Sequence, residues 1–163
     1  MSRRILVVVA ALTLSVAGVL SVACSSGTGT EESGASNDAG DQLTQTAEAG
    51  GVTVDATWLT AAALDDLDAD LTAYPLDRFV AVQIAFTTHS GDLNKMTMEE
   101  AATLQIGREA IRPEAWVSVS DDSHHREGVV IFERRTRSGA AKLMVELQDG
   151  QKVSLRWSTM PRI

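Results

Sequence analysis

The sequence predicts an all-β domain, an antiparallel immunoglobulin-like β-sandwich, preceded by a signal segment and a disordered tether. Apolar and polar residues alternate in several short segments, which is the period of a half-buried strand. Turn residues separate these segments at short intervals, as they do in β-sandwiches. The chain has 163 residues and a single cysteine. It is therefore one domain at most, stabilised by a packed core rather than by disulfides.

Residues 1–23 have the layout of a bacterial export signal. Two arginines, Arg3 and Arg4, precede an apolar run over 5–20, and small residues lead to Cys24. Basic, apolar and small residues in this order are typical of a secretory signal. Residues 21–24 resemble the lipobox of bacterial lipoproteins, which implies that Cys24 is lipidated and becomes the new amino terminus. The alternative is that the apolar segment stays in the membrane as an uncleaved helix, since it is near the minimum spanning length.

Residues 24–51 are predicted to be the lipidated cysteine followed by a disordered acidic linker. The segment contains acids but no base, and Leu43 is its only large apolar residue. Such a composition cannot bury enough apolar surface to offset the entropy of ordering the chain. The folded domain is therefore predicted to comprise residues 52–163.

Within that domain, the alternating patterns predict a series of strands. They cover residues 52–58, 78–88, 115–119, 129–132, 142–148 and 151–157. The Asp149-Gly150 dipeptide between the last two strands predicts a hairpin turn, because both of its positions require positive φ. Tryptophans at 58, 116 and 157 fall within strand patterns, which favours a place in the core.

Two segments do not show strand alternation. Residues 60–71 carry leucines at helical spacing among aspartates, which favours a loop or a short helix. Thr97-Met98-Glu99-Glu100 has the spacing of a helix capping box. The residues that follow, 101–106, are consistent with a short helix or with the start of a strand.

Strand parity predicts where the histidines lie. If each strand crosses the domain once, successive connections alternate between its two ends. The connections 89–98, 120–127 and 149–150 then share one end, and the turn 107–109 lies at the other. The shared end would hold His89, His124 and His125 together with Asp92, Asp121 and Asp122.

Imidazole and carboxylate groups are suitable ligands for a divalent metal ion. We therefore hypothesise a metal site built from His89, one of His124 and His125, and Asp92 or Asp121. Met96 and Met98 would add thioether ligands suited to copper(I), although methionines more often fill gaps in a core. Two alternatives remain: solvated or hydrogen-bonded surface histidines, and a pH-responsive contact surface.

Composition and motifs argue against two classes of function, nucleic-acid binding and catalysis. A net charge of −8 argues against nucleic-acid binding. The sequence has no serine elbow, no HExxH helix and no phosphate-binding glycine loop, and its only thiol belongs to the signal, so catalysis is not predicted.

The predicted function is that of a membrane-anchored extracytoplasmic lipoprotein acting as a non-enzymatic binding or interaction domain. Its expected partners are the cell membrane, through the lipid anchor, and an extracytoplasmic protein. The alternative is a metal-binding accessory protein that uses copper, zinc or calcium at the His/Asp cluster.

Two stretches, residues 78–93 and 123–132, carry a family resemblance. The first contains Thr88-His89-Ser90 at the end of a strand, and the second contains His-His-Arg-x-Gly over residues 124–128 before a strand. They are similar to a group of short secreted or lipoprotein-type bacterial and archaeal domains of no settled function. The resemblance implies a β-sandwich in which the paired histidine motifs belong to one unit.

Overall fold

The computed structural model describes residues 43–161. The predicted signal over 1–23, the lipidation of Cys24 and the linker as far as residue 42 lie outside the described residues. Within the described part, the chain forms nine strands. They are β1 (Thr44–Ala49), β2 (Val52–Trp58), β3 (Phe79–Thr88), β4 (Ala102–Ile106), β5 (Glu109–Ile111), β6 (Pro113–Asp121), β7 (His125–Glu133), β8 (Ala141–Glu146) and β9 (Lys152–Trp157).

The strands form two antiparallel sheets, which confirms the all-β class. The first sheet has the order β1-β2-β3-β7-β6 and the second has the order β5-β4-β8-β9. The helical parts of the described residues are one α-helix, α1 (Met98–Ala101), and two 3-10 turns (Ala61–Ala63 and Leu93–Lys95). No helix among residues 43–161 is long and apolar enough to cross a bilayer.

One core lies between the sheets and follows from strand alternation. The inward residues of β3, Val80, Val82, Ile84 and Phe86, are fully buried, and they share a cluster with inward residues of β4, β8 and β9. Trp58 and Trp157 meet edge to face in this core with ring centroids 5.4 Å apart. Apolar burial of this kind is the main stabilising contribution in a fold without disulfides.

A second, smaller core covers the outer face of the five-stranded sheet. Leu59, Leu71 and Leu76 pack there against Ala81, Val129 and Ile131. Strand β7 is therefore buried on both faces, which explains its continuous apolar run over 129–132. The predicted loop over 60–71 is present with one short 3-10 turn, and its leucines at 64 and 67 help to cover the sheet.

The prediction that residues 44–51 belong to a disordered linker is wrong. Residues 44–49 form β1, which pairs with β2 along its whole length. Gly50 and Gly51 make the connecting two-residue turn with φ of 58° and 72°, the positive values that such hairpin turns require. The carbonyl of Leu43 also accepts hydrogen bonds from the Trp58 amide (3.0 Å) and from Trp157 Nε1 (2.9 Å). Backbone pairing and these bonds order a strand that buries little apolar surface.

Two further segments refine the sequence interpretation. Residues 98–101 form α1 and residues 102–106 form β4. The short helix and the strand that the sequence offered as alternatives thus follow one another. Thr97 occupies the N-cap position but makes no side-chain cap bond. Strand β5, which the alternation did not predict, is only three residues long and pairs with β4 around the turn at Gly107.

Candidate functional site

The structure places all three histidines at one end of the domain, as strand parity predicts. Thr87 at the end of β3 is paired with His125 at the start of β7, and the Thr88 amide donates to the His124 carbonyl at 2.9 Å. Residue 89 therefore follows directly beside residues 124–125. We call this end the histidine end: the connections 50–51, 89–97, 122–124 and 147–151.

The three imidazoles are exposed, and two of them lie within hydrogen-bond distance of a neighbouring hydroxyl. His124 Nδ1 lies 3.0 Å from the Ser123 hydroxyl, and His125 Nδ1 lies 3.1 Å from the Thr87 hydroxyl. His89 is also exposed. His124 and His125 thus have the surroundings of surface histidines, each hydrogen-bonded to one hydroxyl.

The carboxylates at this end hold the local turns. Asp122 Oδ1 accepts from the amides of His124 (2.8 Å) and His125 (3.2 Å). These bonds, and the nearby histidines to a smaller degree, lower the pKa of Asp122 from its ordinary value of 3.8. Asp92 Oδ1 accepts from the Asn94 amide at 3.1 Å, and Asp121 Oδ1 lies 3.3 Å from Arg126 Nε.

The segments that carry the hypothesised metal ligands therefore lie side by side, but their side chains are not arranged as a set of ligands around one ion. Among residues 43–161, no group of three His, Cys, Asp or Glu side chains is arranged so that it could hold a metal ion. The two methionines suggested as copper ligands, Met96 and Met98, are buried in the core. Metal binding by His89, His124, His125, Asp92 and Asp121 remains a prediction from the sequence.

Arg126 is the functional-site residue that the sequence interpretation missed. Its side chain is 9% exposed, and its Nη1 donates to the carbonyls of Leu93 (3.2 Å) and Met96 (2.6 Å). The guanidinium also stacks over the Trp116 ring at 5.2 Å from the centroid. A buried charge is tolerated only when it is paired and hydrogen-bonded. Arg126 meets this condition by fastening the connection 89–97 to the sheet.

The other buried members of the resemblance motifs have structural roles as well. The Thr88 hydroxyl donates to the Ser90 carbonyl at 2.8 Å, with the Gly51 carbonyl as a second acceptor at 3.2 Å. A Cβ at Gly128 would come within 2.5 Å of both the Trp116 ring and the Val117 carbonyl. In both motifs, the residues that the fold buries are thus the threonine, the arginine and the glycine rather than the histidines.

The position of Arg126 within its strand could have identified it as a buried residue from the sequence. Residues 126, 128 and 130 share one face of β7, and residue 130 belongs to the core between the sheets. A charged residue in phase with core positions requires buried partners.

A cavity of about 160 Å³ opens at the histidine end, beside the imidazoles but not lined by them. Its apolar part is formed by Val52, Leu93, Met96 and Leu147. Polar side chains of Ser90, Asp92, Gln148 and Asp149 also line it. Gln148 Nε2 donates to the Asp92 carbonyl, so the connections from the two sheets meet at this cavity.

Comparison with protein-family models, with curated proteins and with solved structures finds no match to this chain.

Proposed function

We propose that this chain is a membrane-anchored extracytoplasmic lipoprotein whose folded domain is a non-enzymatic binding or interaction domain. The histidine end is its contact surface. The location is supported by the signal layout of residues 1–23 and by Cys24 after small residues. The immunoglobulin-like description of the domain is part of the same proposal, supported by two antiparallel sheets around one core.

The main support for a contact surface at the histidine end is the cavity between the connections of the two sheets. A concave site with an apolar lining and a few polar groups is the usual form of a binding site. The connections around it are held by bonds between them: Arg126 to the carbonyls of Leu93 and Met96, Gln148 to Asp92, and Asn94 Nδ2 to the Asp121 carbonyl at 2.9 Å. A surface fixed in advance loses less conformational entropy when it binds a partner.

The metal-binding alternative is supported by the shared end of the three histidines and opposed by the bonds that already occupy the aspartates. Calorimetric titration with copper, zinc and calcium separates the two functions. Stoichiometric binding that is lost in both His89→Ala and His125→Ala would favour the metal-binding function. If no metal binds with a dissociation constant below roughly 100 μM, which corresponds to a dissociation free energy of about 5.5 kcal/mol, the metal-binding function is contradicted.

Site-specific photocrosslinking in living cells tests the contact surface. A photoreactive residue is placed at Ser90, an exposed lining residue of the cavity, and in a matched variant at Ser138, an exposed serine of the connection 134–140 at the opposite end. We expect a defined crosslinked adduct from position 90 and none from position 138. Adducts of equal yield from both positions, or none from either, would contradict the proposal.

A further inference from the structure

The outer face of the second sheet places two cationic side chains directly opposite each other. Lys142 of β8 is paired with Arg156 of β9, and both belong to the outward set of their strands, whose alternate residues are buried. Side chains opposite each other on antiparallel strands have Cβ atoms about 4.5–5.5 Å apart. The two positive charges therefore share one small area of the sheet.

This arrangement is unfavourable by itself, because like charges directly opposite each other destabilise a sheet. Among residues 43–161, neither Lys142 nor Arg156 forms an ion pair, although the chain as a whole is acidic. Lys152 on the same face gives the contrast, since its Nζ lies 2.8 Å from Glu146 Oε2 on the facing strand. The sheet neutralises one cation and leaves the adjacent pair uncompensated.

The uncompensated pair borders an open depression of about 480 Å³ that also includes Gln105 and Ser158. Gln105, Lys142 and Arg156 form one row across β4, β8 and β9. The Gln105 amide donates to the Gly107 carbonyl at 3.1 Å, which leaves its second N–H for another acceptor. Ammonium, guanidinium, amide and hydroxyl donors thus surround a space in which no carboxylate is among the lining residues that the structure describes.

We propose that this depression is an oxyanion site that binds a phosphate group through Lys142 and Arg156. The planar guanidinium donates two parallel hydrogen bonds to phosphate oxygens, and the ammonium adds a point charge. A phosphate bears enough negative charge and acceptor oxygens to compensate both cations. The same chemistry is offered by free phosphate and by an anionic lipid headgroup. The site lies away from the histidine end and does not depend on the proposed function of that end.

Chemical labelling of lysines in the full chain tests the site. The protein is held in uncharged detergent and its amines are acylated, with the rate at each lysine measured by mass spectrometry. We expect phosphate to slow acylation of Lys142 about threefold or more relative to chloride at equal ionic strength, which controls for screening. Lys152 is the matched control, because it lies on the same face and is already paired with Glu146.

The lipid source is tested by reconstituting the full chain into phosphatidylcholine vesicles with or without phosphatidylglycerol. Protection of Lys142 by inorganic phosphate identifies a site open to free phosphate, and protection only in vesicles that contain phosphatidylglycerol identifies a headgroup site. Both protections should disappear in Arg156→Gln. The inference is overturned by any of three results: no protection in either arm, equal slowing at Lys152, or protection that persists in Arg156→Gln.

The charge repulsion has a separate readout. Lys142→Gln removes one of the facing cations, so the thermal midpoint should rise at low ionic strength and the gain should shrink as salt is added. Lys152→Gln, which breaks an ion pair, should give no such gain. Failure of Lys142→Gln to raise the midpoint would overturn the claim that the two cations are uncompensated.

Discussion

Arg126 lies beneath the connection 89–97 with its guanidinium shared between two backbone carbonyls, one carboxylate and the face of Trp116. Hydrogen bonds to a charged group contribute about 1.5–3 kcal/mol each, more than neutral ones do. The same contacts join β7 and β6 to residues 93–96 of the connection. Arg126 is therefore one of the side chains that hold the histidine end together, beside Gln148 and Asn94.

Gly128 is required by the close approach of Trp116. Gly128→Ala would place a methyl group 2.5 Å from the ring and from the Val117 carbonyl, and overpacking of this kind costs about 1–3 kcal/mol. Urea denaturation should show the loss. Gly51→Ala measures the separate cost of positive φ, because no atom lies within 4 Å of its added Cβ, whereas Gly128 does not have positive φ and should lose stability through overpacking. A Gly128→Ala protein as stable as wild type would contradict the packing around Trp116.

Asp122 is expected to titrate below its ordinary pKa of 3.8, because the amides of His124 and His125 donate to its ionised form. A pKa that is lower in the folded state means that the contribution to stability is present above pH 3.8 and is lost as the pH falls through the lowered value. Carboxyl chemical shifts followed by NMR measure this titration. Asp122→Asn keeps an acceptor oxygen and should remove the local pH dependence, and a wild-type value at or above 3.8 would contradict the turn geometry.

At the level of elements, the sequence predicted the strands whose apolar residues alternate, because one buried face imposes a period of two. It did not predict β1, whose half-buried face carries Gln45, Ala47 and Ala49 and no large apolar side chain. It did not predict β5, which is too short to show a period. The leucines of 60–71 favoured a loop or a short helix, but the surface that they help to cover, the outer face of the first sheet, becomes visible only in the assembled fold.

The part played by β1 can be measured by truncation. A chain that begins at residue 52 lacks the strand and the Leu43 carbonyl that binds both Trp58 and Trp157. We expect its thermal midpoint to lie at least about 5 °C below that of a chain beginning at residue 41, corresponding to roughly 1 kcal/mol for a domain of this size. Equal midpoints would show that residues 43–51 are the end of a linker, as the composition alone suggests.

At the level of the whole molecule, the proposed lipid anchor is tested at Cys24. Cys24→Ala should abolish globomycin-sensitive processing and release the chain from the membrane fraction, because lipidation requires the thiol. Ser25→Ala is the matched control and should leave both unchanged. Retention of the Cys24→Ala chain at the membrane would instead indicate that the apolar segment is an uncleaved anchor.

Parity along the chain predicted that the histidines share one end, and the count is right because β5 and β6 together make one crossing: the three-residue β5 continues through Arg112 into β6 of the other sheet. It could not predict which groups at that end face one another. The bonds of Asp122 and Arg126 depend on turn geometry and on residues more than 30 positions away, such as Leu93. The cavity likewise needs the connections of both sheets, which no single segment of sequence describes.

The central claim is that the connections at the histidine end are held together as one fixed surface, and amide hydrogen exchange tests it most directly. The Thr88 amide donates to the His124 carbonyl, the Leu93 amide to the Ser123 carbonyl and the Leu147 amide to the Gln151 carbonyl. All three amides should therefore exchange slowly. In Arg126→Met, exchange at Leu93 should accelerate while Leu147 stays protected, and Arg135→Met, which removes an exposed arginine, should change neither. Exchange of Thr88 and Leu93 at unprotected rates in the wild-type chain would contradict the account.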